Sequence, residues 1–220
     1  MPRVKICCIG SVPEARAALA RGASAIGLVS EMPSGPGVIP EERIAEIVRA
    51  LPPAVETFLL TSRTDAEAIA GQQARTGVNT IQLCDRLPDG EYPRLRAALT
   101  GVRLVQVIHV RGPEALEEAR ILAPRVDRLL LDSGNPDGAV RELGGTGRTH
   151  DWRLSRNIRE SVGIPVYLAG GLTPANVELA IRTVRPYGVD VCSGVRRGGK
   201  LDDTILDAFF GAVARAGNPD

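Results

Sequence analysis

The sequence predicts one closed barrel of eight parallel strands, each followed by a helix, spanning residues 1–220 as a single domain. Three observations predict it. Strand-like and helix-like runs alternate strictly, at a spacing of about 25 residues. There are eight of each, the number that closes such a barrel. Glycine-rich turns follow the last two strand-like runs, where these barrels often hold a phosphate. An open, doubly wound sheet is the alternative for the same alternation.

The strand-like runs are Val4–Ile9, Ala25–Ser30, Val55–Thr61, Thr80–Cys84, Leu104–Val110, Arg128–Ser133, Pro165–Ala169 and Val189–Ser193. All are short and apolar, as strands buried on both faces must be. The helix-like runs are Val12–Arg21, Glu41–Ala50, Asp65–Arg75, Tyr92–Leu99, Glu114–Leu122, Trp152–Ser161, Pro174–Val184 and Asp203–Arg215. Their apolar residues recur at three- and four-residue steps, as in Ile44, Ile47, Val48 and Leu51. Ser11 and Thr173 read as N-caps, and Gly22, Gly77 and Gly163 suit helix C-termini. The longest irregular stretches, Glu31–Val38 and Gly134–His150, both follow strands and so should hang over the C-terminal mouth.

Composition narrows the function. Hydrophobic residues make up 44% and charged residues 24%, enough apolar content for a folded core. Lys+Arg count 27 against Asp+Glu 26, a net charge of +1 that calls for neither nucleic acid nor an anionic membrane. Aromatic content of 3% argues against a base-stacking platform. No apolar run exceeds strand length, and the opening residues lack the pattern of a secretory signal, so neither a membrane span nor export is expected. The four cysteines, Cys7, Cys8, Cys84 and Cys192, show no disulfide-framework spacing, which points to a reducing cytoplasm.

The strongest chemical signal is the pair of turns Ala169-Gly170-Gly171-Leu172 and Cys192-Ser193-Gly194-Val195. Each is read as ending a strand and opening a helix. Backbone N–H groups of Gly170, Gly171, Leu172, Ser193 and Gly194 are expected to hold a phosphate there, aided by the helix N-termini. At the first strand, alternation places Lys5 and Cys7 on one face and Val4, Ile6 and Cys8 on the other, so that Cys7 faces the mouth and Cys8 packs outward. Asp132 closes the apolar run Leu129-Leu130-Leu131. Across a pocket, Cys7 and Asp132 can act as base and acid; two unrelated polar residues are the other reading. Cys7, Cys84 and Cys192 with His109 can also be read as a soft-metal set, or as packing residues, and the packing reading is preferred, with no metal assigned. His150 reads as a loop or capping histidine, and Trp152 as core. The basic run Arg196–Lys200 reads as either an anion aid or a solvated loop.

Val4-Lys5-Ile6-Cys7, Gly145-Thr146-Gly147 with Asp151-Trp152, Ala169-Gly170-Gly171-Leu172 and Arg185-Pro186-Tyr187-Gly188-Val189-Asp190 together resemble phosphoribosylanthranilate isomerase, in order and over nearly the whole chain. The resemblance implies a cofactor-free aldose–ketose (Amadori) rearrangement of N-(5'-phosphoribosyl)anthranilate, with Asp132 as general acid and Cys7 as thiolate base. The substrate pocket is expected to take in Lys5, Gln82, Cys84, His109, Asp190 and Arg196. A homodimer is left open. Lys5 is the candidate cation for lowering the thiol's pKa. Five positions depart from the family pattern: Cys8 stands for glycine, Gly10 for threonine, Gly37 for a carboxylate-reading arginine, Cys84 for histidine and Arg196 for glutamate. Gly37 leads us to expect weak turnover of the anthranilate substrate, improved by Gly37→Arg, with Arg196 as the visible substitute. A divergent paralogue acting on another phosphorylated sugar derivative and a non-catalytic phosphometabolite-binding barrel are the alternatives.

Overall fold

The computed structural model describes residues 1–33, 35–134 and 149–217. Eight parallel strands form a closed barrel in sequence order: β1 (Arg3–Ile6), β2 (Ala25–Val29), β3 (Glu56–Thr61), β4 (Thr80–Leu83), β5 (Arg103–His109), β6 (Arg128–Asp132), β7 (Val166–Leu168) and β8 (Gly188–Val191). β1 pairs β8 with Lys5 opposite Asp190, which closes the ring. Around it lie α1 (Val12–Ala20), α2 (Glu41–Arg49), α3 (Ala66–Thr76), α4 (Glu91–Ala98), α5 (Glu114–Leu122), α6 (Trp152–Ser161), α7 (Val177–Val184) and α8 (Asp203–Gly217). Among the described residues, no helix is long and apolar enough to cross a membrane.

Two apolar cores follow from the period of two along each strand. The larger lies between strands and helices and takes in Ile6, Ile26, Leu59, Ile81, Leu131 and Val189. The smaller fills the barrel and includes Cys7, Ala25, Phe58, Leu60, Val105, Leu130 and Tyr167.

Several termini differ from expectation. Ser11 caps α1, accepting from the Glu14 amide at 3.3 Å. Thr173 does not cap α7. The chain first makes a turn in which the Asn176 side chain accepts from the Thr173 amide at 2.8 Å, and Asn176 then precedes the helix. Gly77 ends α3 in the left-handed conformation, and Gly22 follows α1 with positive φ. Gly163 does not end α6, because Val162 already leaves it in an extended conformation. After β8 the chain forms a short 3-10 turn, Ser193–Val195, and then a two-stranded ribbon, β9 (Arg196–Arg197) with β10 (Lys200–Leu201). The loop after β2 folds back through a bond from the Ile39 amide to the Val29 carbonyl at 3.0 Å.

Candidate active site

Inward-facing positions of β1 and β8 supply the centre of the mouth. Lys5 is fully buried and its Nζ donates to Asp190 Oδ2 at 2.7 Å. Burial opposes the ammonium charge, but Asp190 and Cys7 more than offset that cost and hold Lys5 above its ordinary pKa. Its Nζ also lies 5.0 Å from the centroid of the Phe58 ring. Lys5 is therefore a fixed positive charge in the barrel.

Cys7 follows β1 and is buried beside Lys5. Burial pushes its thiol up to about 11, with Lys5 acting in the opposite direction. The expected cation is in place and pulls the thiol's pKa down, but desolvation of the thiolate outweighs it and the net shift is upward. Gly27 makes room for this pair: a Cβ there would stand 2.7 Å from Cys7 Sγ and 3.1 Å from Lys5 Cε. Nothing in the sequence reading singled out Gly27, an isolated glycine inside a strand, although such a glycine often marks a close approach.

Asp132 ends β6 opposite His109. Its Oδ1 accepts from the Ser133 amide at 2.7 Å. Burial raises its carboxyl to about 6 despite that bond, and Asp190 adds to the rise. Gln82 is buried on β4, and its Oε1 has no hydrogen-bond partner among the described residues. Cys84 is buried, which pushes its thiol upward. His109 Nε2 donates to the Cys84 carbonyl at 3.2 Å, and burial lowers its pKa. His150 bonds Ser155 Oγ at 2.6 Å, and burial lowers its pKa to about 4. Trp152 packs against the outer core.

The two glycine turns lie side by side. A Cβ on Gly194 would overlap the Leu172 carbonyl oxygen, so only glycine lets the β7 and β8 loops pack backbone to backbone. The amides of Gly171, Leu172, Ser193 and Gly194 make no hydrogen bond among the described residues. Neither turn leads directly into an α-helix as expected, since a turn precedes α7 and a 3-10 turn follows β8.

Three expectations are overturned at the rim. Cys8 does not pack outward. β1 ends at Ile6, Cys8 takes a φ of 60° and joins the inner core, and its sulfur pairs with Cys192 across a Cα–Cα distance of 5.9 Å. The chain thus carries a disulfide that cysteine spacing did not suggest, because its ends are 184 residues apart in sequence. This pairing also removes Cys192 from the set read as soft-metal ligands. Arg196 is not free to meet a substrate. Its Nη2 donates to the carbonyls of Cys7 at 3.1 Å and Cys8 at 2.6 Å, and its Nη1 lies 3.3 Å from Glu14 Oε1. Gly37 does not leave a slot for arginine, as a Cβ there would meet Cys8 Cβ at 2.6 Å. The motif Gly145-Thr146-Gly147 lies outside the described residues.

Residues 4–212 match the family model for N-(5'-phosphoribosyl)anthranilate (PRA) isomerase. An N-(5'-phosphoribosyl)anthranilate isomerase of Haloferax volcanii is 41% identical over 98% of this chain and 95% of its own length. A Methanosarcina mazei relative, N-(5'-phosphoribosyl)anthranilate isomerase 2, is 38% identical over 98% of this chain and 94% of its own. The crystal structure of the Thermotoga maritima phosphoribosylanthranilate isomerase superposes with a TM-score of 0.84 at 30% identity, covering 98% of this chain and all of that one. Another isomerase structure, solved with reduced 1-(o-carboxyphenylamino)-1-deoxyribulose 5-phosphate, has a TM-score of 0.82 at 28% identity over 98% of this chain.

Proposed function

The chain belongs to the N-(5'-phosphoribosyl)anthranilate isomerase family, and from that premise we propose that it converts N-(5'-phosphoribosyl)anthranilate to the ketose by acid–base catalysis with Cys7 and Asp132. The observation that carries the reading is one buried mouth holding Cys7, Lys5, Asp190 and Asp132 beside two facing glycine turns.

The amides of Gly171, Leu172, Ser193 and Gly194, unpaired among the described residues, hold the phosphate. The reactive form carries its proton on Asp132 and none on Cys7. It arises from the thiol–carboxylate form by moving one proton, and Lys5 offsets the charge left on sulfur. Asp132 gives its proton to the furanose ring oxygen, the C1–O bond breaks and an iminium forms. Cys7 then removes the proton from C2, giving an enolamine. Ketonisation releases the enol proton and returns one to C1, so the product is an isomer and no cofactor enters the balance.

With Gly37 closed off and Arg196 committed to carbonyls, the anthranilate carboxylate needs another cation. Arg63, which follows β3, lines a recess of about 350 Å³ with Glu31, Met32, Pro33 and Ser62. Its guanidinium is held only loosely, 3.6 Å from the exposed Glu31. We assign Arg63 to the carboxylate. Arg63→Ala should raise KM about tenfold, the loss of a charge-assisted pair.

The reading includes an aqueous reaction and no nucleic-acid partner; the Cys8–Cys192 bond removes the cysteine-spacing argument for a reducing cytoplasm. The test is growth of a tryptophan auxotroph lacking this isomerase when it expresses the chain, together with turnover by the purified protein. No rescue and no turnover would defeat it.

A further inference from the structure

We infer that Arg196, locked by Glu14, is the positioning residue that sets the catalytic cysteine Cys7, through the backbone rather than the thiol. The inference rests on the role proposed for Cys7.

Both backbone groups of Cys7 are held by the segment that closes the barrel. Its amide donates to the Val191 carbonyl at 2.8 Å, and its carbonyl accepts from Arg196 Nη2 at 3.1 Å. The same nitrogen bonds the Cys8 carbonyl at 2.6 Å. Cys8 is non-glycine yet left-handed, a strained conformation that persists only where its surroundings over-determine it. Arg196 is one such determinant; the pairing with Cys192 is another.

The guanidinium is itself fixed. Nη1 reaches Glu14 Oε1 at 3.3 Å and the Gly199 carbonyl at 3.1 Å. Glu14 also accepts from the Gly10 amide at 3.0 Å and the Leu201 amide at 3.3 Å. One carboxylate thus ties the far end of the β1–α1 loop to the β9–β10 ribbon, with Arg196 between them. The Arg196 side chain is 9% exposed, so the pair is partly shielded from solvent screening. A planar fork can hold two successive carbonyls and a carboxylate together; an ammonium cannot do so with the same geometry.

A misplacement of about 1 Å in a reacting group can cost about a hundredfold in rate. Arg196→Met should therefore lower kcat about 10²-fold, while KM and the affinity for inorganic phosphate change less than about threefold. Arg196→Lys should recover part of kcat, and Glu14→Gln should show a smaller loss of the same kind. Cys7→Ala is run in parallel. Circular dichroism and the melting temperature identify any variant that fails to fold, and Arg196→Lys and Glu14→Gln then carry the test.

Turnover within threefold of wild type in Arg196→Met would overturn the inference while leaving the role of Cys7 standing. So would phosphate affinity falling in step with kcat, since Arg196 would then act through the β8 turn. Full turnover in Cys7→Ala would sink the proposed base and, with it, anything to be positioned.

Discussion

Gly37 and Cys8 share one small space: a Cβ on Gly37 would stand 2.6 Å from Cys8 Cβ and 3.1 Å from Cys8 Cα. Two of the departures from the family pattern are therefore a single packing event, in which a side chain at residue 8 excludes one at residue 37. Arg196 bonds the carbonyl of Cys8, and Cys192 pairs with its sulfur.

That contact reverses the effect expected of Gly37→Arg. Gly37 has a φ of 81°, so any side chain there carries left-handed strain as well as the overlap with Cys8. The substitution should destabilise the protein by about 2–5 kcal/mol and lower activity rather than raise it. Thermal denaturation and turnover together check this. A stable Gly37→Arg variant with faster turnover would mean that the loop opens freely.

Asp132 should trade stability for activity. Its carboxyl is raised to about 6 in the fold, against about 3.9 in an unfolded chain. The folded state binds this proton more tightly, so its contribution to stability falls as pH rises from about 4 to about 6 and stays lost above. Asp132→Asn keeps an oxygen for the Ser133 amide and removes the buried charge. At pH 7 it should be more stable by on the order of 2 kcal/mol, an advantage that vanishes below about pH 4, while kcat drops about 10²–10⁴-fold. Denaturant melts across this range, with parallel assays, read both effects. Equal stability at every pH would show that Asp132 is not held in a desolvated site.

The pH dependence of kcat/KM should carry two limbs, near 6 from Asp132 and near 11 from Cys7. Since the active form has the proton on Asp132 and none on Cys7, the limbs report the pair and not which member is charged. Asp132→Asn should erase the lower limb in whatever activity remains. Its persistence would assign that limb to another group.

Inorganic phosphate should stabilise the fold by mass action, through the amides of Gly171, Leu172, Ser193 and Gly194. Gly194→Ala places a methyl group against the Leu172 carbonyl and should separate the two turns. We expect the phosphate-induced rise in melting temperature to disappear in that variant. An unchanged rise would move the anion site elsewhere.

The Cys8–Cys192 bridge closes nearly the whole chain, its ends 184 positions apart in sequence. Chain-entropy reasoning gives a stabilisation of about 5 kcal/mol for so large a loop. Reduction, or Cys192→Ser, should lower the melting temperature by about 10 °C. Intact mass with and without reductant shows whether the bond is present, and an unchanged melting temperature after complete reduction would deny it a structural role.

The sequence alone determined the barrel, its eight strands and helices, and the placing of Cys7, Asp132 and both glycine turns at one end. Those features are written in local periodicity, and parallel strands in order leave little freedom in how they close. Lys5 beside Cys7 was legible for the same reason, since residues two apart share a face. Tertiary structure decided what lies across the mouth. Cys8 meets Cys192 and Gly37, Arg196 turns to the carbonyls of Cys7 and Cys8, and Gly27 leaves the space the thiol occupies. No window of sequence contains these pairs. Burial, which pushes the Cys7 thiol to about 11 and the Asp132 carboxyl to about 6, is likewise a property of the closed barrel and not of either residue's neighbours in the chain.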